Sequence, residues 1–157
     1  MRLVFVSCRS LAPAAPDGQV RTMQYWLMKS EPSKYSWDDL IREGRTIWDG
    51  TRNHQVANYL REMALGDQTL FYHSNEGLEA VGIMEVVALA HLDATDPTGK
   101  FYAVDVAPVR PLKKPVTLAA MKAEPALADM AMFRQFRLSV APLGADHWAK
   151  ILEMSER

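Results

Sequence analysis

The chain has 157 residues, of which 48% are hydrophobic and 24% charged. That is the balance of one folded globular domain rather than of a disordered, fibrous or membrane protein. Lys and Arg number 18 against 19 Asp and Glu, leaving a formal net charge of -1; this excludes a generally basic, phosphate-coating surface, so any nucleic-acid partner has to be met by a local patch. A single cysteine, Cys8, excludes an internal disulfide framework and a cysteine-based zinc site, and no apolar run reaches the roughly 18 to 20 residues that cross a bilayer.

Residues 1–22 open with Arg2 and a short apolar run from Leu3 to Val6, then drift into an Ala- and Pro-rich stretch from Leu11 to Gly18. The apolar run is too short for a secretory signal. The expectation is a flexible extension over 1–22, one domain over 23–157, and a reducing, cytoplasmic location.

From Gln24 to Met28 the run containing Tyr25, Trp26 and Leu27 reads as a buried strand that stops in the polar turn Lys29, Ser30, Glu31 and Pro32. Ser36 with Asp39 three residues on forms a helix start, and Gly44 is the stop. Thr46 to Trp48 reads as a short strand ended by Asp49 and Gly50. Asn53 to Met63 has Val56, Leu60 and Met63 on one helical face. Gln68 to Tyr72 is strand-like and ends in His73, Ser74, Asn75, Glu76 and Gly77, ahead of a long strand from Ala80 to Ala88.

Phe101 to Val109 alternates as a further strand, after which Pro108, Pro111 and Pro115 are expected to break regularity. Thr117 can cap a short helix to Lys122, Pro125 to Met132 contains another, Arg137 to Val140 is a final strand, and Asp146 can cap a last helix. Short strands interrupted by short helices without regular alternation define an α+β fold around a small curved or closed sheet.

For enzyme chemistry the raw material is present but unarranged. There is no glycine-rich phosphate loop, no dinucleotide fingerprint, no paired-histidine zinc motif and no nucleophile elbow. His54, His73, His91 and His147 are scattered singly, so no metal site is expected. His73 and Ser74, adjacent on a strand, point to opposite faces, which leaves a hydrolase or transferase using His73 with Glu76 as the weakest reading.

Binding is better supported. Lys29 and Ser30, Trp48 and Asp49, and His73, Ser74 and Asn75 all close strands in polar residues, and such ends can converge on one mouth. Trp48 offers a stacking face while hydroxyls and amides read the edge of a flat heterocycle. Taken singly, Trp26, Trp37, Trp48 and Trp148 are better explained as core or helix-packing residues, and Ser30, Asn53, Ser74 and Asn75 as caps or turn residues. Trp48, followed at once by Asp49, Gly50 and a polar, basic stretch, is the exception, and the joint appearance of these residues carries the pocket. Arg42, Arg45, Arg52 and Arg61 lie near these elements, and Arg110, Lys113, Lys114 and Lys122 form a second basic cluster.

The run from Tyr25 to Pro32, with Trp48 to Gly50, Arg52 and Asn53, Phe71 to Asn75, Val81 to Val86 and Arg137 to Val140, resembles the EVE-domain family over nearly all of Met23 to Leu152. The resemblance implies a PUA-like fold, a small mixed-strand β-barrel flanked by short helices, and a monomeric, cofactor-free, non-enzymatic reader of a modified base. Methylated or hydroxymethylated cytosine in DNA is the implied ligand, and a PUA-like RNA-binding module without a modified-base requirement is the alternative. By similarity to the more distant YTH domains, the pocket roles fall on Lys29, Ser30, Trp48, Ser74 and Asn75, with Asn53 and His73 added. After Trp48 to Gly50 the family pattern carries an aromatic and a cation where this chain has His54 and Ala57, so ligand choice is expected to depart there.

Overall fold

The computed structural model describes residues 22–157, so the expected extension lies almost wholly outside the described residues. Six strands form one sheet in the order β2-β5-β4-β3-β1-β6. They are β1 (Tyr25–Ser30), β2 (Thr46–Trp48), β3 (Gln68–His73), β4 (Glu79–Leu92), β5 (Tyr102–Thr117) and β6 (Val140–Leu143). Helices α1 (Trp37–Glu43) and α2 (His54–Glu62) flank β2; α3 (Leu118–Ala123), α4 (Ala131–Arg134) and α5 (Ala145–Ser155) follow the long strands.

The near-continuous apolar character of β1 is explained by burial on both faces. Trp26 and Met28 point into a core shared with Trp37 and Leu40 of α1 and Val56 and Leu60 of α2. Leu27 points the opposite way, into a core with Met121, Leu127, Trp148 and Ile151. The strand period of two thus divides one short segment between two helical layers.

All strand pairs are antiparallel except β1 with β3, which run parallel from Tyr25 beside Gln68 to Ser30 beside His73. Parallel neighbours need a long crossover. Here it is the excursion over residues 31–67, which contains α1, β2 and α2. Because β1 and β3 end at the same edge, their polar terminal residues are brought side by side, and Ser74 N donates to Ser30 O at 2.9 Å.

The expected barrel does not close: among the described residues β2 and β6 are the free edges of an open, mixed α+β sheet. β2 has three residues and pairs only with Val104 to Val106, while β6 has four residues, one of them Pro142 without an N–H. Neither edge has enough backbone to complete a cylinder.

The prolines do not end β5 either. Pro108 and Pro111 sit beside Met84 and Gly82 at register shifts, where a ladder N–H is not required, so the strand continues to Thr117. The last strand begins at Val140, where Arg137 to Val140 was the expected span. The stretch from Pro125 to Met132 divides into a 3-10 turn, Pro125–Leu127, and the start of α4; and the cap of α5 is Gly144, with Asp146 in its first turn. No described helix is long and apolar enough to cross a membrane.

One close approach ties α1 to the sheet. Ala80 and Gly82 straddle a register shift in β4, and the six-membered ring of Trp37 lies directly over Gly82, where a Cβ would overlap it. Gly82→Ala is therefore expected to cost about 1 to 3 kcal/mol by overpacking. The measurement is the urea midpoint at constant m; an unshifted midpoint would mean that the indole moves aside freely.

Candidate functional site

Two local signals fix the position of α1. Ser36 and Asp39 form a reciprocal capping box, with Ser36 Oγ accepting from Asp39 N at 3.1 Å and Asp39 Oδ2 accepting from Ser36 N at 2.9 Å. Gly44, at φ 74°, then terminates the helix in the left-handed region. One of the remaining first-turn amides, Trp37 N, donates to His73 Nε2 at 3.2 Å. His73 also meets the edge of Phe71 at 5.5 Å, and burial lowers its pKa against the opposing charges of Glu79 and Asp38.

The turn after β2 is held from the opposite side. Asp93, whose side chain is fully buried, accepts from Gly50 N at 2.8 Å, from Arg52 Nη1 at 2.9 Å and from Thr95 N at 2.8 Å. Burial alone would raise its pKa, but the bonds from Thr95, Gly50 and Arg52 outweigh it and hold the carboxyl down at about 2. The turn from Asp49 to Arg52 is thus set before any ligand arrives.

Between this turn, the end of β1 and α1 opens a hollow of about 920 Å³, lined by Lys29, Ser30, Tyr35, Trp48, Thr51 and Ser139 among others. Trp48 is only 8% exposed and packs edge-to-face against Phe71 at 5.6 Å, so it is a core residue that presents a margin to the hollow. Tyr35 donates to Glu43 Oε2 at 2.6 Å, and burial followed by that bond pushes its pKa up to about 12.

A second hollow, of about 490 Å³, adjoins the first across Lys29, Ser30 and Ser139, and is lined also by Tyr72, Ser74, Asn75, Phe136 and Arg137. Lys29 Nζ donates to Phe136 O at 2.8 Å and lies 4.4 Å over the Phe136 ring, with its pKa lowered by burial. Asn75 turns the chain at φ 64°, a conformation that Asn tolerates. Each hollow has one lining residue whose hydroxyl is buried without a partner among the described residues, Thr51 in the first and Tyr72 in the second.

The expected single mouth is therefore two. Lys29 and Ser30 belong to both hollows, Trp48 to the first, and Ser74 and Asn75 to the second. Asn53 and His73 line neither: Asn53 caps α2, its Oδ1 accepting from Val56 N at 3.0 Å, and His73 is occupied by Trp37 N. His54 stacks on Phe101 at 4.9 Å and Ala57 is buried, so the two departures from the family pattern also lie outside both hollows.

Most of the arginines expected around the site are engaged. Arg42 pairs with Asp39, Arg45 with Asp105 and Arg52 with Asp93, while Arg61 lies 5.0 Å over the ring of Tyr102. Tyr35 and Phe136 are lining residues outside the sequence motifs, while Arg137 and Ser139 belong to the motif from Arg137 to Val140 but were not expected in the site. No group of three or more potential metal ligands occurs among the described residues.

The EVE domain family model matches residues 24–154, and the chain belongs to that family. It is 35% identical to human thymocyte nuclear protein 1, the match covering 85% of this chain and 74% of that protein. Of solved structures, Rpa0253 from Rhodopseudomonas palustris superposes at a TM-score of 0.81 with 48% identity, covering 85% of this chain and 94% of that one. Human THYN1 in complex with 5-methylcytosine-containing DNA superposes at 0.80 with 33% identity, covering 85% and 98%. A YTH domain of Zygosaccharomyces rouxii, solved with N6-methyladenosine RNA, shares the fold at 0.53 with 16% identity over 92% and 94%.

The depressed His73 pKa has a definite sign. The unfolded chain binds the proton more readily, so stability is complete above the ordinary value of 6.5 and is lost as pH falls through the lower folded value. His91, raised by its bond to Asp105, acts in the opposite direction. His73→Gln keeps an acceptor for Trp37 N without a titrating group, so its melting temperature should fall less than the parent's below about pH 6.5; parallel curves would remove His73 as the source.

Proposed function

We propose that this chain reads a modified base in DNA, methylated or hydroxymethylated cytosine, and that the base enters the first hollow beside Trp48. The observation that carries the reading is a pre-set, Trp-bordered hollow in a chain 33% identical to a protein solved with 5-methylcytosine-containing DNA. A base in that hollow has left the helical stack, so part of the binding free energy goes into unstacking. Rigidity of the turn clamped by Asp93 limits the further cost of ordering the protein.

Roles follow from what each residue has free. Trp48 supplies the aromatic border. Ser30 Oγ donates to Tyr35 O at 2.6 Å, which leaves its lone pairs to accept from an exocyclic amine, and Thr51 Oγ1 has its full capacity unspent. Lys29, at the wall between the hollows, is placed for the backbone phosphate. Binding rather than turnover is also supported by His73, whose Nε2 is occupied and which faces neither hollow.

The test is affinity for matched oligonucleotides carrying cytosine, 5-methylcytosine or 5-hydroxymethylcytosine in DNA, with RNA counterparts. Preference for a modified DNA base is expected; equal affinity for modified and unmodified RNA, exceeding that for DNA, would instead identify an RNA-binding module. Trp48→Ala would leave a hole in the core beside Phe71, so the informative variant is Trp48→Phe. The smaller ring draws back the aromatic border against which the base lies, and should weaken modified-base binding about three-fold or more while the fold is retained. Unchanged affinity would remove Trp48 from the site.

A further inference from the structure

We propose that the second hollow is a subsite for the nucleotide next to the modified one, its base lying against Phe136, so that affinity depends on the neighbouring base. The inference rests on the modified-base reading of the first hollow and extends it to a two-nucleotide footprint.

Three observations lead there. Phe136 is 53% exposed, an unusual position for a large aromatic, and it is among the residues lining the hollow, with Lys29 Nζ 4.4 Å and Lys122 Nζ 5.8 Å from its ring centroid. Exposed aromatics of this kind serve as sequence-tolerant platforms for unstacked bases. Beneath it, Tyr72 is 1% exposed, and its hydroxyl has no hydrogen-bond partner among the described residues. A buried unpaired hydroxyl is costly, and a polar ligand edge that reached it would remove that cost.

The third observation is the position of Lys29. Its half-buried ammonium pairs with no carboxylate among the described residues, and it stands with Ser30 and Ser139 on the wall common to both hollows. A strand with one base on each side of that wall must carry its phosphodiester across it, where the remaining N–H groups of Lys29 are available. Arg137 also lines the second hollow and adds a further cation there.

The chemistry of the lining favours a nucleoside over an isolated phosphate. About 490 Å³ is far more than a phosphate fills, and Tyr72, Leu78 and Phe136 supply apolar walls that an anion would not use. Ser74 and Asn75, at the end of β3, supply donors and acceptors for a base edge.

The experiment uses the full chain and duplex DNA with one 5-methylcytosine, its 5′ or 3′ neighbour being either a normal base or an abasic site. The wild type, Phe136→Ala and Tyr72→Phe are compared by fluorescence anisotropy, with an unmodified duplex as reference. Removal of one neighbouring base is expected to weaken wild-type binding about five-fold or more. Phe136→Ala should cause a similar loss on the intact probe and almost none on the abasic one, the signature of a direct coupling. Tyr72→Phe should weaken binding with a melting temperature no lower than the parent's, because it deletes a hydroxyl that has no partner in the free protein.

If 5-methylcytosine is preferred but abasic neighbours and Phe136→Ala change affinity less than two-fold, the second hollow is not a nucleotide subsite and the first-hollow reading stands. Equal losses from Phe136→Ala on intact and abasic probes would also overturn the subsite, since the ring would then act on something other than the base. If the wild type shows no preference for the modified duplex, the modified-base reading fails and the two-nucleotide footprint falls with it.

Discussion

The ring of Phe71 is the contact on which both the layers and the site depend. It is fully buried on β3, and three rings meet it: Trp37 at 5.6 Å, Trp48 at 5.6 Å and His73 at 5.5 Å, all in edge-on arrangements. Edge-to-face aromatic pairs add directional energy to the burial of large apolar surface. Through Trp37, Phe71 sets α1 over Gly82; through Trp48, it sets the end of β2 and so the turn that borders the first hollow. One side chain in the middle of the sheet thereby fixes elements that have no strand pairing with one another.

Polar groups complete what the aromatic contacts begin. Asp93 gathers Gly50, Arg52 and Thr95, while Asp67 accepts from Trp26 Nε1 at 3.2 Å and from Ala64 N at 3.0 Å, joining β1 to the end of the crossover. Buried carboxylates are tolerable because each is saturated with donors. Against this background the unpaired hydroxyls of Thr51 and Tyr72 are departures from an otherwise satisfied interior, and both belong to residues that line a hollow.

Strand ends were legible in the sequence because apolar runs such as Tyr25 to Met28 and Gln68 to Tyr72 stop abruptly in polar residues. The capping box of α1 was legible because its signal is contained in four residues. Asn53 and His73 carried the right chemistry for a pocket but are consumed locally, one as a helix cap and the other by an amide from α1; residue type alone does not distinguish these fates. The place of Phe136 and Ser139 in the site was not legible for a different reason, although Ser139 falls within a family motif. They reach Lys29 from the far end of the chain, and no local pattern reports a contact across that separation. The strand through Pro108, Pro111 and Pro115 was misread because only tertiary pairing reveals that the register shifts there.

The parallel pairing of β1 with β3 has a consequence for how such a domain can diversify. Most of the first hollow's border, from Tyr35 through Arg52, comes from the single excursion between those strands, while the second is bordered by strand ends, by Glu31 and Lys34 at the start of that excursion, and by the distant segment around Phe136 to Ser139. Changes within residues 31–67 can reshape one hollow without touching the ladder that joins β1 to β3. Within that excursion the stretch from Tyr35 to Arg52 borders the first hollow alone, so substitutions there can alter its shape while the lining of the second is left as it is.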